Sequence, residues 1–110
     1  MFNFFGLFGE KKEADTLKQG IINANFSTII SFLREISESE INEESLAKIN
    51  QAREALKPVY LMLKEKNYKD AKAKCRQALT ALEGIYGLDE KNQEKLEGIK
   101  SNLKYIINNI

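Results

Sequence analysis

The chain has 110 residues, which suits one domain, and its 43% apolar and 30% charged content is typical of a folded protein. Seventeen basic and sixteen acidic residues leave a net charge of +1, so nucleic acid is an unlikely partner. Without histidine and with one cysteine, Cys75, the chain lacks the usual general base, an internal disulfide and the ligands of a zinc site.

The first nine residues, MFNFFGLFG, form an apolar N-terminal peptide that we separate from a bundle domain over residues 10–110. Its large apolar side chains are Phe2, Phe4, Phe5, Leu7 and Phe8. The peptide lacks the basic leader of a secretory signal and the ~18 to 20 apolar residues of a membrane span. We therefore expect a cytoplasmic protein whose peptide packs on its own bundle, a second copy, a partner or a membrane surface.

From about Ala14 onward, apolar residues recur at intervals of three and four, which predicts helices, and the alternation of strands is missing. The first helix carries the stripe Ile22, Phe26, Ile29, Leu33 and Ile36. A second helix is predicted over 43–66, a third over 68–86 and a fourth from residue 90 to the end. Leu56, Leu82 and Leu103 lie on the stripes of these three helices.

Capping residues and one proline mark the helix ends. The predicted N-terminal caps are Asn42, Asn67 and Asp89. Gly87 is expected to close the third helix in the left-handed conformation. Pro58 lies inside the second periodic segment and should kink or split that helix near Lys57, because proline lacks an amide donor.

Four long helices joined by short loops predict an all-α, up-down-up-down four-helix bundle, since short loops force neighbouring helices to run antiparallel. The alternative is a three-helix core with an added N-terminal helix. In the bundle, the first and second loops lie at opposite ends of the molecule.

The residues that could carry chemistry have simpler structural explanations. Glu35 and Glu38 have the i, i+3 spacing of a metal-binding pair but no histidine to complete a di-iron site, so they are interpreted as solvated. Cys75 lies on an apolar stripe and is interpreted as an inert core residue. No glycine-rich phosphate motif is present. We expect no catalytic residue, no cofactor and no bound metal.

Charge is separated along the sequence. Residues 57–76 carry seven basic and two acidic side chains, a net charge of +5, whereas residues 35–44 carry five glutamates and no base, a net charge of −5. In the bundle the basic segment and the start of the first helix share one end. The predicted partner-binding residues are therefore the apolar side chains of the N-terminal peptide together with four lysines: Lys64, Lys66, Lys69 and Lys72.

The run Asn67-Tyr68-x-x-Ala71-x-x-x-Cys75-x-x-Ala78-Leu79 resembles the second helix of a tetratricopeptide repeat. It is also similar to the corresponding turn of microtubule-interacting-and-transport (MIT) domains, a likeness that extends over residues 43–110. Pro58 and Val59 depart from the Leu-Gly pair of the tetratricopeptide pattern, and the missing second repeat excludes a repeat array.

The resemblance implies a module that binds peptides or helices of other proteins. It implies a groove between the last two helices, although the residues that would line it suit a core equally well. These residues are Ala71, Cys75, Ala78 and Leu82, facing Ile99, Leu103 and Ile106.

The leading functional hypothesis is a non-catalytic helical protein–protein interaction module, an adaptor or regulator that binds a protein partner or a second copy. The alternatives are a peripheral membrane adaptor anchored by residues 1–9 and a small inhibitor of another enzyme.

Overall fold

A computed structural model describes the backbone of residues 2–110 and the side chains of residues 17–110. It contains five helices: α1 (Phe2–Ser37), α2 (Glu43–Leu56), α3 (Val59–Lys64), α4 (Tyr68–Leu82) and α5 (Glu90–Asn109). Helices account for more than four fifths of the chain, and residues 2–110 include no strand. The predicted all-α class is confirmed.

The helices pack as a four-helix bundle in which α2 and α3 together form the second arm. Helix α1 packs on α5 and α2, the α2–α3 arm packs on α4, and α4 packs on α5, which closes the ring. Ile29, Leu33 and Ile36 of α1 are completely buried. Because α1 contributes to the core in this way, the alternative of a three-helix core with an added helix is wrong.

The core is built from the predicted apolar stripes. Completely buried residues include Leu33, Leu56, Leu82 and Leu103, one from each arm of the bundle. Residues expected from the family resemblance to line a groove between α4 and α5 are buried completely as well: Ala71, Cys75, Ala78, Leu82, Ile99, Leu103 and Ile106. Of the two readings of these residues, the structure therefore selects the core.

Two of the three predicted caps are confirmed. The Asn42 side chain accepts a hydrogen bond from the Ser45 amide at 2.7 Å, and the Asp89 carboxylate accepts one from the Asn92 amide at 2.8 Å. The Asn67 side chain makes no capping bond to a helix amide; its Nδ2 group donates to the Asp70 carboxylate at 2.9 Å.

Pro58 divides the second arm as predicted: α2 ends at Leu56, and α3 begins at Val59. Two other boundaries differ from expectation. The backbone of α1 is helical from Phe2 rather than from about Ala14. Helix α4 ends at Leu82 and not at Tyr86, so Gly87, which does adopt the left-handed conformation with φ 75°, lies in the following loop rather than closing the helix.

Helix α3 ends in a left-handed turn centred on Lys66, whose φ is 62°. The Lys66 amide donates to the Leu63 carbonyl at 3.1 Å, and the Asn67 amide donates to the Met62 carbonyl at 2.8 Å. This pair of bonds is the Schellman motif, which glycine normally closes because a side chain is strained at positive φ.

We expect Lys66→Gly to raise the free energy of unfolding by about 0.5 to 1 kcal/mol, because relief of the left-handed strain outweighs the added freedom of the unfolded chain. Urea denaturation monitored by circular dichroism measures this. The control is Glu65→Gly, which should destabilise the protein because Glu65 has a φ of −84°. A loss of stability in Lys66→Gly would contradict the interpretation.

Candidate partner-binding surface

The acidic end of the bundle is closed by a polar network between the first loop, the start of α2 and the loop before α5. The Tyr86 carbonyl accepts hydrogen bonds from the Asn42 side-chain amide and the Ser45 hydroxyl, both at 3.1 Å. The Tyr86 hydroxyl donates to Glu44 at 3.1 Å, and this bond to a carboxylate raises the pKa of Tyr86. These bonds hold the two loops together.

Two buried polar residues complete this end, and the sequence analysis missed both. Ser45 is completely buried, and Asn92 is nearly so. The Asn92 amide donates to the Ser39 hydroxyl at 2.9 Å, which ties α5 to the first loop. Both residues lie three positions after a capping residue, a position that would have indicated contact with the cap but not burial.

The opposite end carries the predicted lysines of the second loop. Lys64 ends α3, Lys66 forms the left-handed turn, and both are exposed. Within residues 17–110, no carboxylate oxygen lies within 4.0 Å of either ammonium group. Among the described residues, the two lysines therefore present unpaired positive charge at this end.

The start of the described part of α1 lies beside these lysines. Gln19 and Asn23 of α1 line a shallow depression of about 320 Å³ together with residues of α3 and the second loop. The residues on that side are Tyr60, Leu63, Lys64 and Lys66. The structure thus brings Lys64 and Lys66 next to α1, as the bundle topology predicts.

The remaining predicted binding residues are only partly described. Lys69 and Lys72 lie in the first two turns of α4, with Lys69 exposed and Lys72 half-buried, and neither lines the depression. The side chains of Phe2, Phe4, Phe5, Leu7 and Phe8 lie outside the described part of the chain. That part of the prediction is therefore not tested by the structure.

Large apolar side chains are exposed near the basic end. Leu17 is 67% exposed, Ile21 49%, Tyr60 56% and Leu61 57%. These four residues belong to the described start of α1 and to α3, the same elements that surround the depression. Apolar groups beside unpaired lysines form a surface able to make both hydrophobic and charge-assisted contacts.

A second depression, of about 410 Å³, lies on the seam between α1 and α2. It is lined by Phe26 and Ile30 of α1 and, across the seam, by Asn50, Arg53, Glu54, Leu56 and Lys57. Ile30 is 37% exposed here, whereas Phe26 is almost buried. The two depressions lie on the same side of α1, because Gln19, Asn23, Phe26 and Ile30 follow one another at intervals of four, three and four.

The three residues considered for a chemical role are buried, ion-paired or exposed to solvent: Cys75, Glu35 and Glu38. Burial raises the pKa of the Cys75 thiol to about 11, which keeps it protonated at neutral pH. Glu35 pairs with Lys95 of α5 at 3.1 Å, and Glu38 is exposed. Over residues 17–110, no three acidic or cysteine side chains cluster as metal ligands would. None of the described helices combines the length and apolar character needed to cross a membrane.

Comparison of the chain with protein-family models, curated proteins and solved structures finds no match.

Proposed function

We propose that this chain is a non-catalytic protein-interaction module that binds its partner at the basic end of the bundle. The observation that carries the proposal is the depression where Tyr60, Lys64 and Lys66 meet Gln19 and Asn23 of α1. The binding surface also includes the apolar peptide of residues 1–9, which precedes this part of α1 in the sequence.

Three observations support a binding function rather than a catalytic one. The exposed apolar groups, Leu17 and Tyr60 among them, are of the kind that interfaces bury. Lys64 and Lys66, which pair with no carboxylate of residues 17–110, can orient an acidic partner and increase its rate of association. Cys75, the strongest nucleophile of the chain by residue type, is completely buried and protonated, so it is poorly suited to attack a substrate.

We expect the full chain with Phe2, Phe4, Phe5 and Phe8 all replaced by serine to keep the wild-type melting temperature and to lose its partner. The fold should survive because, among the side chains of residues 17–110, the α1 part of the core begins at Ile22, well beyond the altered segment. The measurement begins with capture from the native cell by the full chain, and the captured protein is then purified and titrated against wild type and variant.

The matched control replaces exposed residues elsewhere, Lys91→Ser and Lys104→Ser on α5, and should leave binding unchanged. Sedimentation equilibrium of the full chain detects self-association, the second form of the hypothesis. Co-sedimentation with vesicles of phosphatidylserine and phosphatidylcholine distinguishes the membrane alternative. Pelleting with vesicles that depends on the four phenylalanines, without a protein partner, would replace the proposed function with that of a peripheral membrane adaptor.

A further inference from the structure

The two depressions follow one another along one side of α1, facing the α2–α3 arm, and are together called the α1/α3 groove. One wall is the side of α1 from Gln19 to Ile30. The other wall continues through the break at Pro58, because its residues keep helical spacing on both sides: Asn50, Arg53, Glu54, Lys57, Tyr60 and Lys64. At 1.5 Å per residue, the α1 wall is about 17 Å long, which matches about three turns of a helix.

The floor of this α1/α3 groove is apolar, while its rim is basic. Phe26, Leu56 and Leu63 form the buried floor, and Ile30 and Tyr60 leave part of their surface open above it. The charged rim consists of Arg53, Lys57, Lys64 and Lys66 with Glu54, four cations against one anion, a net charge of +3. An occupant should therefore combine apolar anchors with negative charge.

The rim charges remain available to an occupant. Lys57 pairs with Glu54 at 2.6 Å, but both side chains are about two-thirds exposed. An exposed pair of this kind contributes little to stability and can exchange its partner at small cost. Arg53 donates to the Ser37 hydroxyl at 3.3 Å, a neutral acceptor that leaves the guanidinium charge uncompensated. Lys64 and Lys66 have no acidic partner within residues 17–110.

We propose that the α1/α3 groove binds one acidic amphipathic helix of a partner protein. This inference rests on the proposed function and adds the chemistry of the ligand and the place where it binds. Anchors at positions i, i+3 or i+4 and i+7 of the helix lie over Ile30 and Tyr60, and its flanking carboxylates face Lys57 and Lys64.

The first experiment uses three fluorescent peptides in anisotropy titrations with the full chain. One is a synthetic 18-residue helix with leucine on one face and glutamate on the other, and the second carries lysine in place of each glutamate. The third is the segment of residues 1–16 of this chain. The acidic peptide should bind at least about tenfold more tightly than the other two, and its affinity should fall with added salt.

The second experiment identifies the binding site of the acidic peptide. The double variant Lys57→Glu/Lys64→Glu should weaken binding of the acidic peptide at least about tenfold, because both rim charges are reversed. The matched control Lys91→Glu/Lys104→Glu makes the same change in net charge on α5 and should change the affinity by less than about twofold, since separated surface charges are screened. Ile30→Ser should also weaken binding, whereas Tyr105→Ser, on an α5 side chain that is equally exposed and lines neither depression, should not.

Several outcomes would overturn the inference. Equal binding of acidic and basic peptides, or equal effects of the two double variants, would exclude the α1/α3 groove as an acidic-helix site. Tighter binding of the 1–16 peptide would assign the groove to a second copy of the chain. Pelleting with phosphatidylserine vesicles that is lost in Lys57→Glu/Lys64→Glu would assign its charges to a membrane.

The results that would contradict the groove as a binding site differ from those that would contradict the proposed function. A purified partner whose binding needs the N-terminal phenylalanines but is unaffected by Lys57→Glu/Lys64→Glu would keep the interaction module and remove the groove. If the chain binds no purified partner and does not self-associate, the proposed function itself is contradicted. Each measurement uses the full chain, and a variant is compared with wild type only after the two have been shown to have the same melting temperature.

Discussion

Replacing Leu33 with alanine is expected to lower the free energy of unfolding by about 2 to 5 kcal/mol. Leu33 is completely buried on α1, so the substitution removes apolar surface from the core and leaves a cavity that rigid helices refill only in part. The same range applies to single alanine substitutions at Leu56, Leu82 and Leu103, which are also completely buried. Together the four positions test whether all arms of the bundle share one core.

Urea denaturation followed by circular dichroism measures these differences. The matched control is Leu61→Ala, which removes the same atoms from a side chain that is 57% exposed and should cost less than about 1 kcal/mol. A small effect at Leu33 alone would mean that α1 is not part of the cooperative core. Small effects at all four positions would contradict the bundle as a whole.

The Cys75 thiol is expected to react with an alkylating reagent at least about a hundredfold more slowly in the folded protein than in the unfolded protein at pH 8. Burial raises its pKa from 9.0 to about 11, and only the thiolate reacts, so its reactive fraction falls by about two orders of magnitude. Complete burial also requires the bundle to open before the reagent reaches the sulfur.

The control for this experiment is the double variant Cys75→Ala/Ser101→Cys, which moves the only cysteine to an exposed position on α5. That cysteine should react at nearly the same rate in the folded and unfolded states. Rapid labelling of Cys75 in the native protein would overturn its assignment as an inert core residue.

The raised pKa of Cys75 also predicts how stability depends on pH. The unfolded chain loses the thiol proton near pH 9, while the folded chain keeps it until about pH 11. The contribution of Cys75 is therefore fully present below pH 9 and falls as the pH rises toward 11, by up to about 1.4 kcal/mol per pH unit. Comparison with Cys75→Ala at each pH isolates this contribution from other titrating groups.

The sequence alone determined the helices and their stripes because the period of apolar residues is a local property. Leu33, Leu56, Leu82 and Leu103 were identified as core positions in this way, and all are buried. The break at Pro58 and the caps at Asn42 and Asp89 were equally predictable, since each depends on residues a few positions apart. The four-helix bundle followed from helix number and short loops.

Only the tertiary structure decided where helix ends and polar groups meet other parts of the chain. Helix α4 stops at Leu82, and the next residues form the loop whose Tyr86 carbonyl bonds to Asn42 and Ser45, more than forty positions earlier in the chain. The burial of Asn92 likewise depends on Ser39, which the chain brings close only when α1 and α5 pack.

The candidate site also has one part that the sequence could predict and one part that it could not. Lys64 and Lys66 could be placed at the basic end from charge and topology, because loop positions in a bundle follow from chain order. The α1/α3 groove could not be placed, because its walls come from residues 19–30 and 50–66 and its width depends on how closely two helices pack. Periodicity shows which face of a helix is apolar, whereas the gap left between two faces is set by the side chains of every helix in the bundle.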